Sequence, residues 1–135
     1  MAYTAHMDTF ARDNLPPKKL WPEFIFDLPE LKYPPRMNCG AELLDKMVAG
    51  GHADRPVIHT LIEGRKYVCT YRQLMTRANQ IAHVIQKDLK LVPGTRILLR
   101  GPNNAEMFAC WFAVMKAGCI AVSTMPLLRF IRDEH

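Results

Sequence analysis

The residue types that most often carry chemistry are present in this 135-residue chain, but their spacing builds no recognisable site. Its five histidines lack the H-x-x-H and H-E-x-x-H patterns that place two imidazoles on one metal ion. Ser123 and Thr124 have no flanking glycines of the kind that expose a hydrolase nucleophile. Asp45 and Asp54 form no paired-carboxylate pattern. We therefore predict no catalytic, cofactor-binding or metal-binding residue, and we interpret each histidine as solvated or hydrogen-bonded.

The cysteines and the net charge exclude several classes of protein. Cys39, Cys69, Cys110 and Cys119 form no C-x-x-C pair, which argues against a zinc site or a redox motif. We expect buried, reduced thiols in a cytoplasmic protein, because no charged start followed by an apolar run indicates a secretory signal. The net charge of +5 comes from scattered Lys and Arg residues without interleaved aromatics, so nucleic-acid binding is not predicted.

The segment 101–126 is strongly apolar and admits three interpretations. A membrane span is disfavoured because Lys116 lies within it, at a cost of about 2.5–3.5 kcal/mol, and because Gly118 interrupts it. A phosphate loop is disfavoured because G-P-N-N lacks the glycine patterns of such loops and Pro102 removes a backbone donor. We therefore predict a buried core segment without membrane contact.

Residues 1–38 are predicted to form an arm rich in proline and aromatic residues. Each proline fixes its own φ and pushes the preceding residue to extended backbone, which excludes a long helix. A short helical turn is expected near residues 21–26. Side chains such as Trp21, Phe24 and Phe26 are too apolar for a solvated linker, so we expect them to be buried against another surface.

Residues 39–135 are predicted to form a partial α/β domain. Asn38 is a candidate cap for a helix that ends at Gly50–Gly51. The run PVIHTLIE, the turn EGRK and the run YVCTY predict an antiparallel hairpin. Thr70 and Gln73 fit a capping box that begins the next helix. The apolar stripe of that helix comprises Leu74, Ala78, Ile81, Ala82, Ile85 and Leu89.

A βαβ unit is predicted to follow. RILLRG is expected to be a short buried strand, and CIAVSTM a second strand parallel to it. Between them, Asn103 or Asn104 can cap a helix that Gly118 closes. This helix is apolar on nearly every face, so we expect it to be covered on several sides. The predicted elements are too few to supply that cover, which indicates a piece of something larger or a self-associating domain.

Three segments of the chain resemble the N-terminal end of the adenylate-forming superfamily, which includes acyl- and aryl-CoA ligases. They are TYRQL (70–74), VPGTRILLRGPNNAEM (92–107) and MKAGCIAVSTMP (115–126), and they occur in the family's order and spacing. Gln73 and Thr95 replace a Glu and an Asp that are commoner in the family. The arm, with DNLPP, LWPEF and DLPELKYP, is similar to benzoate- and 2-aminobenzoate-CoA ligases.

The resemblance implies an α/β fold that is the N-terminal fragment of the large domain of an adenylate-forming enzyme. It also implies a reaction in which ATP, an aromatic carboxylate and CoA give aryl-CoA, AMP and pyrophosphate, with Mg²⁺ as a cofactor. The family's phosphate loop, S/T-G-T-T-G-x-P-K, does not occur in this chain, and neither does the lid with the catalytic lysine. We therefore expect this chain alone to bind no cofactor and to be inactive.

Two further hypotheses stay open at this stage. One is a free-standing, non-catalytic α/β module that binds a partner or forms a homo-oligomer through exposed core surface. The other is a small nucleotide-binding protein, which the isolated Gly101 supports weakly. The acid substrate cannot be read from these residues, because the family's pocket-lining segments are mostly missing.

Overall fold

The computed structural model describes residues 5–126, and predictions that fall on residues 1–4 or 127–135, such as the role of His135, lie outside it. A short helix, α1 (Phe10–Asp13), opens the described chain. A longer helix over residues 39–52, here the π-rich helix, contains π-helical segments at Ala41–Asp45 and Val48–His52. The other elements are β1 (Pro56–Ile62), β2 (Arg65–Thr70), α2 (Tyr71–His83), β3 (Arg96–Arg100), α3 (Ala105–Lys116) and β4 (Ile120–Thr124).

Helices α2 and α3 pack against each other and support two small sheets. One core cluster joins the two helices to β3 and β4 through Ile85, Leu99 and Val114. A second cluster joins them to the π-rich helix and to β2 through Leu44, Cys69 and Leu74. The predicted α/β class is therefore confirmed, with a hairpin, a βαβ unit and flanking helices.

The βαβ unit forms as predicted from its caps. Strands β3 and β4 are parallel, with Leu98 beside Val122. The Asn104 side chain accepts a 2.9 Å hydrogen bond from the Met107 N–H and so caps α3. Gly118 closes the helix at a φ of 74°, where a side chain would be strained.

The predicted hairpin also forms, but its turn is tighter than expected. Glu63 and Gly64 both have positive φ, 49° and 77°, which is typical of the two-residue type I′ turn. Arg65 and Lys66, which we assigned to the turn, therefore belong to β2. The twist of a type I′ turn matches the right-handed twist of the two strands, so two residues are enough to connect them.

The capping box at the start of α2 is confirmed. The Gln73 N–H donates to the Thr70 hydroxyl at 3.3 Å, and the Thr70 N–H donates to the Gln73 side-chain oxygen at 2.9 Å. The predicted stripe is buried or partly buried as far as Ile85, but Leu89 is 60% exposed. The helix changes to π-helical geometry over Val84–Asp88, and this wider turn rotates Leu89 off the stripe.

We expect Thr70→Ala to lower the free energy of unfolding by about 1 kcal/mol, because the Gln73 N–H loses the hydroxyl that accepts its hydrogen bond. Urea denaturation followed by circular dichroism measures this change. Thr76→Ala, at an exposed position within the same helix, is the matched control and should change stability far less. Equal effects of the two substitutions would contradict the capping role.

The arm differs from the prediction in two respects. Its short helical turns lie at Lys18–Leu20 and Pro29–Leu31, not near residues 21–26, because Pro22 holds Trp21 in extended backbone. Its aromatic rings are exposed rather than buried, and they contact one another. The rings of Phe24 and Phe26 stack at 6.0 Å, and Tyr33 meets Phe26 edge-on at 6.5 Å. The division of the chain at residue 38 stays a prediction.

The start of the described chain is fastened to the turn before β3. The Met7 and Asp8 N–H groups both donate to the Pro93 carbonyl, at 2.9 and 3.0 Å. The Arg96 guanidinium pairs with the Asp8 carboxylate at 3.2 Å and stacks over the Phe10 ring at 4.2 Å. Residues 7–10 therefore cover one end of the sheet face that points away from α2 and α3.

The prediction of β3 as a buried strand was wrong. Leu99 points to the helices and is 9% exposed, whereas Leu98 points to the opposite face and is 62% exposed. Helix α3 likewise buries one side, while Phe108 and Trp111 remain exposed at 47% and 36%. The described elements cover one face of the parallel sheet and part of α3. Among residues 5–126, no helix is long and apolar enough to cross a membrane.

Candidate functional site

The loop between β3 and α3 was the best-placed candidate for a phosphate site. A Cβ built on Gly101 would lie 2.8 Å from the Met107 methyl group, so the missing side chain makes room for Met107. The Asn104 side chain already accepts the hydrogen bond of the Met107 N–H in the first turn of α3, so this N–H is not available to an anion. Glu106 adds a carboxylate to that turn, which disfavours an anion nearby. The geometry of this loop serves packing and capping.

The other end of α3 carries a group of polar contacts that links it to the π-rich helix. The Asn38 side chain donates to the Met115 and Lys116 carbonyls, at 2.9 and 3.3 Å, and its oxygen accepts from the Ala41 N–H at 3.1 Å. One amide thereby caps the C-terminus of α3 and the N-terminus of the π-rich helix. The prediction that Asn38 is a helix cap is confirmed, and its second role could not be read from the sequence.

Lys116 and Asp45 form an ion pair at this crossing. The Lys116 Nζ lies 2.5 Å from Asp45 Oδ1, and the Lys116 side chain is 13% exposed. Gly40 allows the close approach, because a Cβ there would meet the Lys116 side chain at 2.7 Å and the Phe112 carbonyl at 3.2 Å. The lysine of the M-K-A-G segment thus joins two helices, and its charge is matched by a neighbouring carboxylate.

Two grooves flank these elements. A groove of about 810 Å³ lies between the arm and the end of α3, and it is lined by residues that include His6, Arg36, Cys39 and Lys116. A groove of about 480 Å³ lies between the hairpin and the N-termini of α2 and α3. In the second groove Arg77 and Glu106 form a 2.9 Å ion pair that links the two helices.

The remaining candidate residues lie apart from one another. His59 is exposed on β1, His83 is exposed at the end of α2, and Ser123 is exposed on β4. Asp54 pairs with Arg72 at 3.1 Å on the surface. Within residues 5–126, no group of three or more His, Cys, Asp or Glu side chains could hold a metal ion.

The thiols fall into two groups. Cys69 and Cys119 are buried and Cys110 is partly buried, whereas Cys39 is exposed, so the expectation of four buried thiols was wrong for Cys39. Cys39 lies in the first turn of the π-rich helix, where its side chain faces away from the core. Burial raises the pKa of the other three thiols, and the nearby Glu106 carboxylate raises it further for Cys69 and Cys110.

We expect iodoacetamide to modify Cys39 first at pH 7.5, the partly buried Cys110 more slowly, and Cys69 and Cys119 only after denaturation, because only the accessible thiolate reacts. Peptide mapping by mass spectrometry measures the order. Rapid native labelling of Cys119 would contradict its burial.

The raised thiol pKa values also make the stability of the fold depend on pH. Their contribution to the free energy of unfolding is present below the unfolded-state pKa of about 8.5 and is lost as the pH rises through the raised value.

The family is shown by comparison with known proteins. A family model described as AMP-binding enzyme matches residues 46–130, which is more than half of the chain. The chain belongs to the AMP-binding enzyme family. The matched region contains the hairpin, α2 and the complete βαβ unit. The adenylate-forming ancestry predicted from the three motifs is therefore confirmed.

Curated relatives show which enzymes the chain is similar to. It is 31% identical over 119 residues to a long-chain-fatty-acid–CoA ligase of Escherichia coli, a match that covers 87% of this chain and 20% of the relative. It is 26% identical over 116 residues to the mouse long-chain fatty acid transport protein 6, covering 82% of this chain and 18% of the relative. The chain thus spans about one fifth of the length of these relatives.

Solved structures agree on the fold. The anthranilate CoA ligase AuaEII, in complex with anthranoyl-AMP, superposes with a TM-score of 0.57 at 26% identity, over 67% of this chain and 16% of that one. A fatty acid AMP ligase of Legionella pneumophila superposes with a TM-score of 0.60 at 21% identity, over 70% of this chain and 16% of that one. The described fold is therefore part of an adenylate-forming N-terminal domain.

Proposed function

We propose that this chain is the N-terminal portion of an AMP-forming aryl-CoA ligase that acts on benzoate or 2-aminobenzoate. The whole enzyme would convert ATP, the aromatic carboxylate and CoA to aryl-CoA, AMP and pyrophosphate. The observation that carries this proposal is the family match over residues 46–130, which includes the βαβ unit. Full-length members of this family use ATP, Mg²⁺ and CoA, and the proposal extends that use to the whole protein.

The aromatic substrate rests on the arm and on one structural relative. The arm segments DNLPP, LWPEF and DLPELKYP are similar to those of benzoate- and 2-aminobenzoate-CoA ligases. The superposition on an anthranilate CoA ligase is compatible with that assignment. The identity to long-chain-fatty-acid–CoA ligases favours a fatty acid as the second candidate substrate.

The described residues would supply the scaffold of this enzyme rather than its chemistry. Cationic side chains on the helices and on β3 are matched by carboxylates, and four of these pairs join residues that are distant in the sequence or on different elements. These pairs are Lys116–Asp45, Arg77–Glu106, Arg72–Asp54 and Arg96–Asp8. Two observations support this scaffold role: within residues 5–126 no group of three or more His, Cys, Asp or Glu side chains could hold a metal ion, and the Met107 methyl group lies beside Gly101. ATP and Mg²⁺ would be held by other segments of the whole protein.

A non-catalytic interaction module is the alternative function. Large apolar side chains remain exposed on the arm, on α3 and on the outer face of the parallel sheet. A monomeric protein rarely leaves such patches uncovered. Under this alternative a partner or a second copy would cover them, and no ligase segment would be encoded with the chain.

The coding DNA downstream of codon 135 separates the two proposals. We expect it to encode a loop similar to S/T-G-T-T-G-x-P-K, and the corresponding longer polypeptide to release pyrophosphate with ATP, Mg²⁺ and either aromatic acid. A long-chain fatty acid assayed in parallel decides between the substrate classes. Preference for the fatty acid would overturn the aromatic assignment alone. Absence of the loop in every downstream frame would favour the interaction module.

A further inference from the structure

Strand β1 leaves one of its two edges without a partner in the described chain. All the ladder pairs of β1 are with β2, and no other segment of residues 5–126 forms backbone hydrogen bonds with residues 57–62. Ile62 and Arg65 flank the two-residue turn and form the first hydrogen-bonded pair. Alternation along an antiparallel ladder then points the N–H and C=O groups of Leu61 and His59 away from β2.

The composition of this edge does not protect it. Residues 57–62 read VIHTLI, with no Asp, Glu, Lys, Arg or Pro. Sheet proteins ordinarily guard an open edge with charges, prolines or bulges, and a six-residue run without Asp, Glu, Lys, Arg or Pro in which four residues are Val, Ile or Thr is typical of segments that pair with copies of themselves. The one bulge of the hairpin lies between Pro56 and Ile58, before this run.

The opposite edge of the hairpin is protected. Strand β2 begins with Arg65 and Lys66, both exposed, and charged side chains of this kind discourage the pairing of sheet edges. Two copies paired along residues 58–62 of β1 would bring together no Asp, Glu, Lys or Arg side chain, and the exposed Leu61 and Ile62 would gain apolar neighbours. These side chains are 67% and 53% exposed in the single chain.

We propose that the β1 edge over residues 59–62 pairs with the same edge of a second copy, which gives a four-stranded antiparallel sheet in the order β2–β1–β1–β2. The pairing is isologous, so each contact occurs twice. This inference does not depend on the ligase proposal, because it concerns the isolated 135-residue chain.

Two variants test the pairing by sedimentation equilibrium over a concentration series. Leu61→Pro keeps an apolar side chain but removes the outward N–H, a change that an edge strand tolerates. Leu61→Lys places a charged side chain on the edge, the device by which natural sheets block edge pairing. Each should weaken dimerisation about tenfold or more. Val68→Lys, at the partly exposed β2 residue opposite His59, is the matched control and should dimerise as the wild type does.

Amide hydrogen exchange of the wild-type chain tests the same contact without a substitution. The His59 and Leu61 amides should exchange more slowly as the protein concentration rises, while the exposed arm amides do not change. A wild-type chain that stays monomeric at high concentration would overturn the proposal. A dimer whose His59 and Leu61 amides stay unprotected, or one that Val68→Lys disrupts as strongly as Leu61→Lys, would assign the contact to another surface and also overturn it.

Discussion

Leu44→Ala is expected to lower the free energy of unfolding by about 2–5 kcal/mol, because it opens a cavity in a packed core. Leu44 is 0% exposed, and it anchors the π-rich helix in the cluster formed by Cys69, Leu74 and Ala109. The surrounding elements are held by tight caps and cannot close the cavity without moving the hairpin or α2. Thermal and urea unfolding, monitored by circular dichroism, measure the loss.

Leu43 provides the matched control for this substitution, since it precedes Leu44 on the same helix and is 53% exposed. Leu43→Ala removes the same atoms from solvent-facing surface, so its effect should stay within about 0.5 kcal/mol. The contrast between the two positions follows from which helix face meets α2 and α3. Similar losses at both positions would contradict the placement of the π-rich helix.

Gly94→Ala is expected to detach the start of the chain from the turn before β3. A Cβ at this position would lie 2.1 Å from the Asp8 carbonyl oxygen and 2.9 Å from the His6 Cβ. The φ of 93° adds a backbone cost of about 1–2 kcal/mol for a residue with a side chain. Because the clash involves backbone, residues 6–8 must move and the two hydrogen bonds to the Pro93 carbonyl are lost.

Gly51→Ala is the matched control, because it has the backbone cost of a positive φ without the steric clash. Gly51 has a similar φ, 85°, but a Cβ there would meet no atom within 4 Å. We expect the Gly51 variant to lose stability without changing the N-terminal segment, whereas the Gly94 variant should also expose residues 5–14 to limited proteolysis. Mass spectrometry of the fragments measures this difference. Protection of the N-terminal segment in the Gly94 variant would contradict the fastening.

The parts of the fold that follow from local rules were predictable from the sequence. The caps at Asn38, Thr70 and Asn104 act within three residues, so their hydrogen bonds could be read from residue type and spacing. Gly118 ended α3 for an equally local reason, its positive φ. The parallel pairing of β3 and β4 followed from the single helix between them.

The errors lie where the answer depends on distant contacts. Leu98 and Leu99 are chemically identical, and only the position of the helices decides which of them is buried. The arm aromatics carried a strong tendency to be buried, yet Phe24, Phe26 and Tyr33 stay exposed and contact one another. Leu89 lies off the apolar stripe because the end of α2 becomes π-helical. A prediction from a 3.6-residue period assumes that the whole helix is α-helical.

The polar site at the end of α3 shows the same limit. In the sequence Lys116 stands out by its charge and Asp45 as a lone carboxylate, but 71 residues separate them and no spacing rule relates them. Gly40 carried no sequence signal for its close approach to Phe112 and Lys116. The M-K-A-G resemblance pointed to the right segment, and the structure adds that its lysine joins two helices.

Carboxylate-dependent release of pyrophosphate by the isolated 135-residue chain tests the central claim most directly. The claim is that these residues supply scaffold for an adenylate-forming enzyme and none of its catalytic groups. With ATP, Mg²⁺ and either benzoate, 2-aminobenzoate or a long-chain fatty acid, we expect no release above a blank without protein. Release that requires the carboxylate and rises with the amount of purified, sequence-verified chain would contradict the claim.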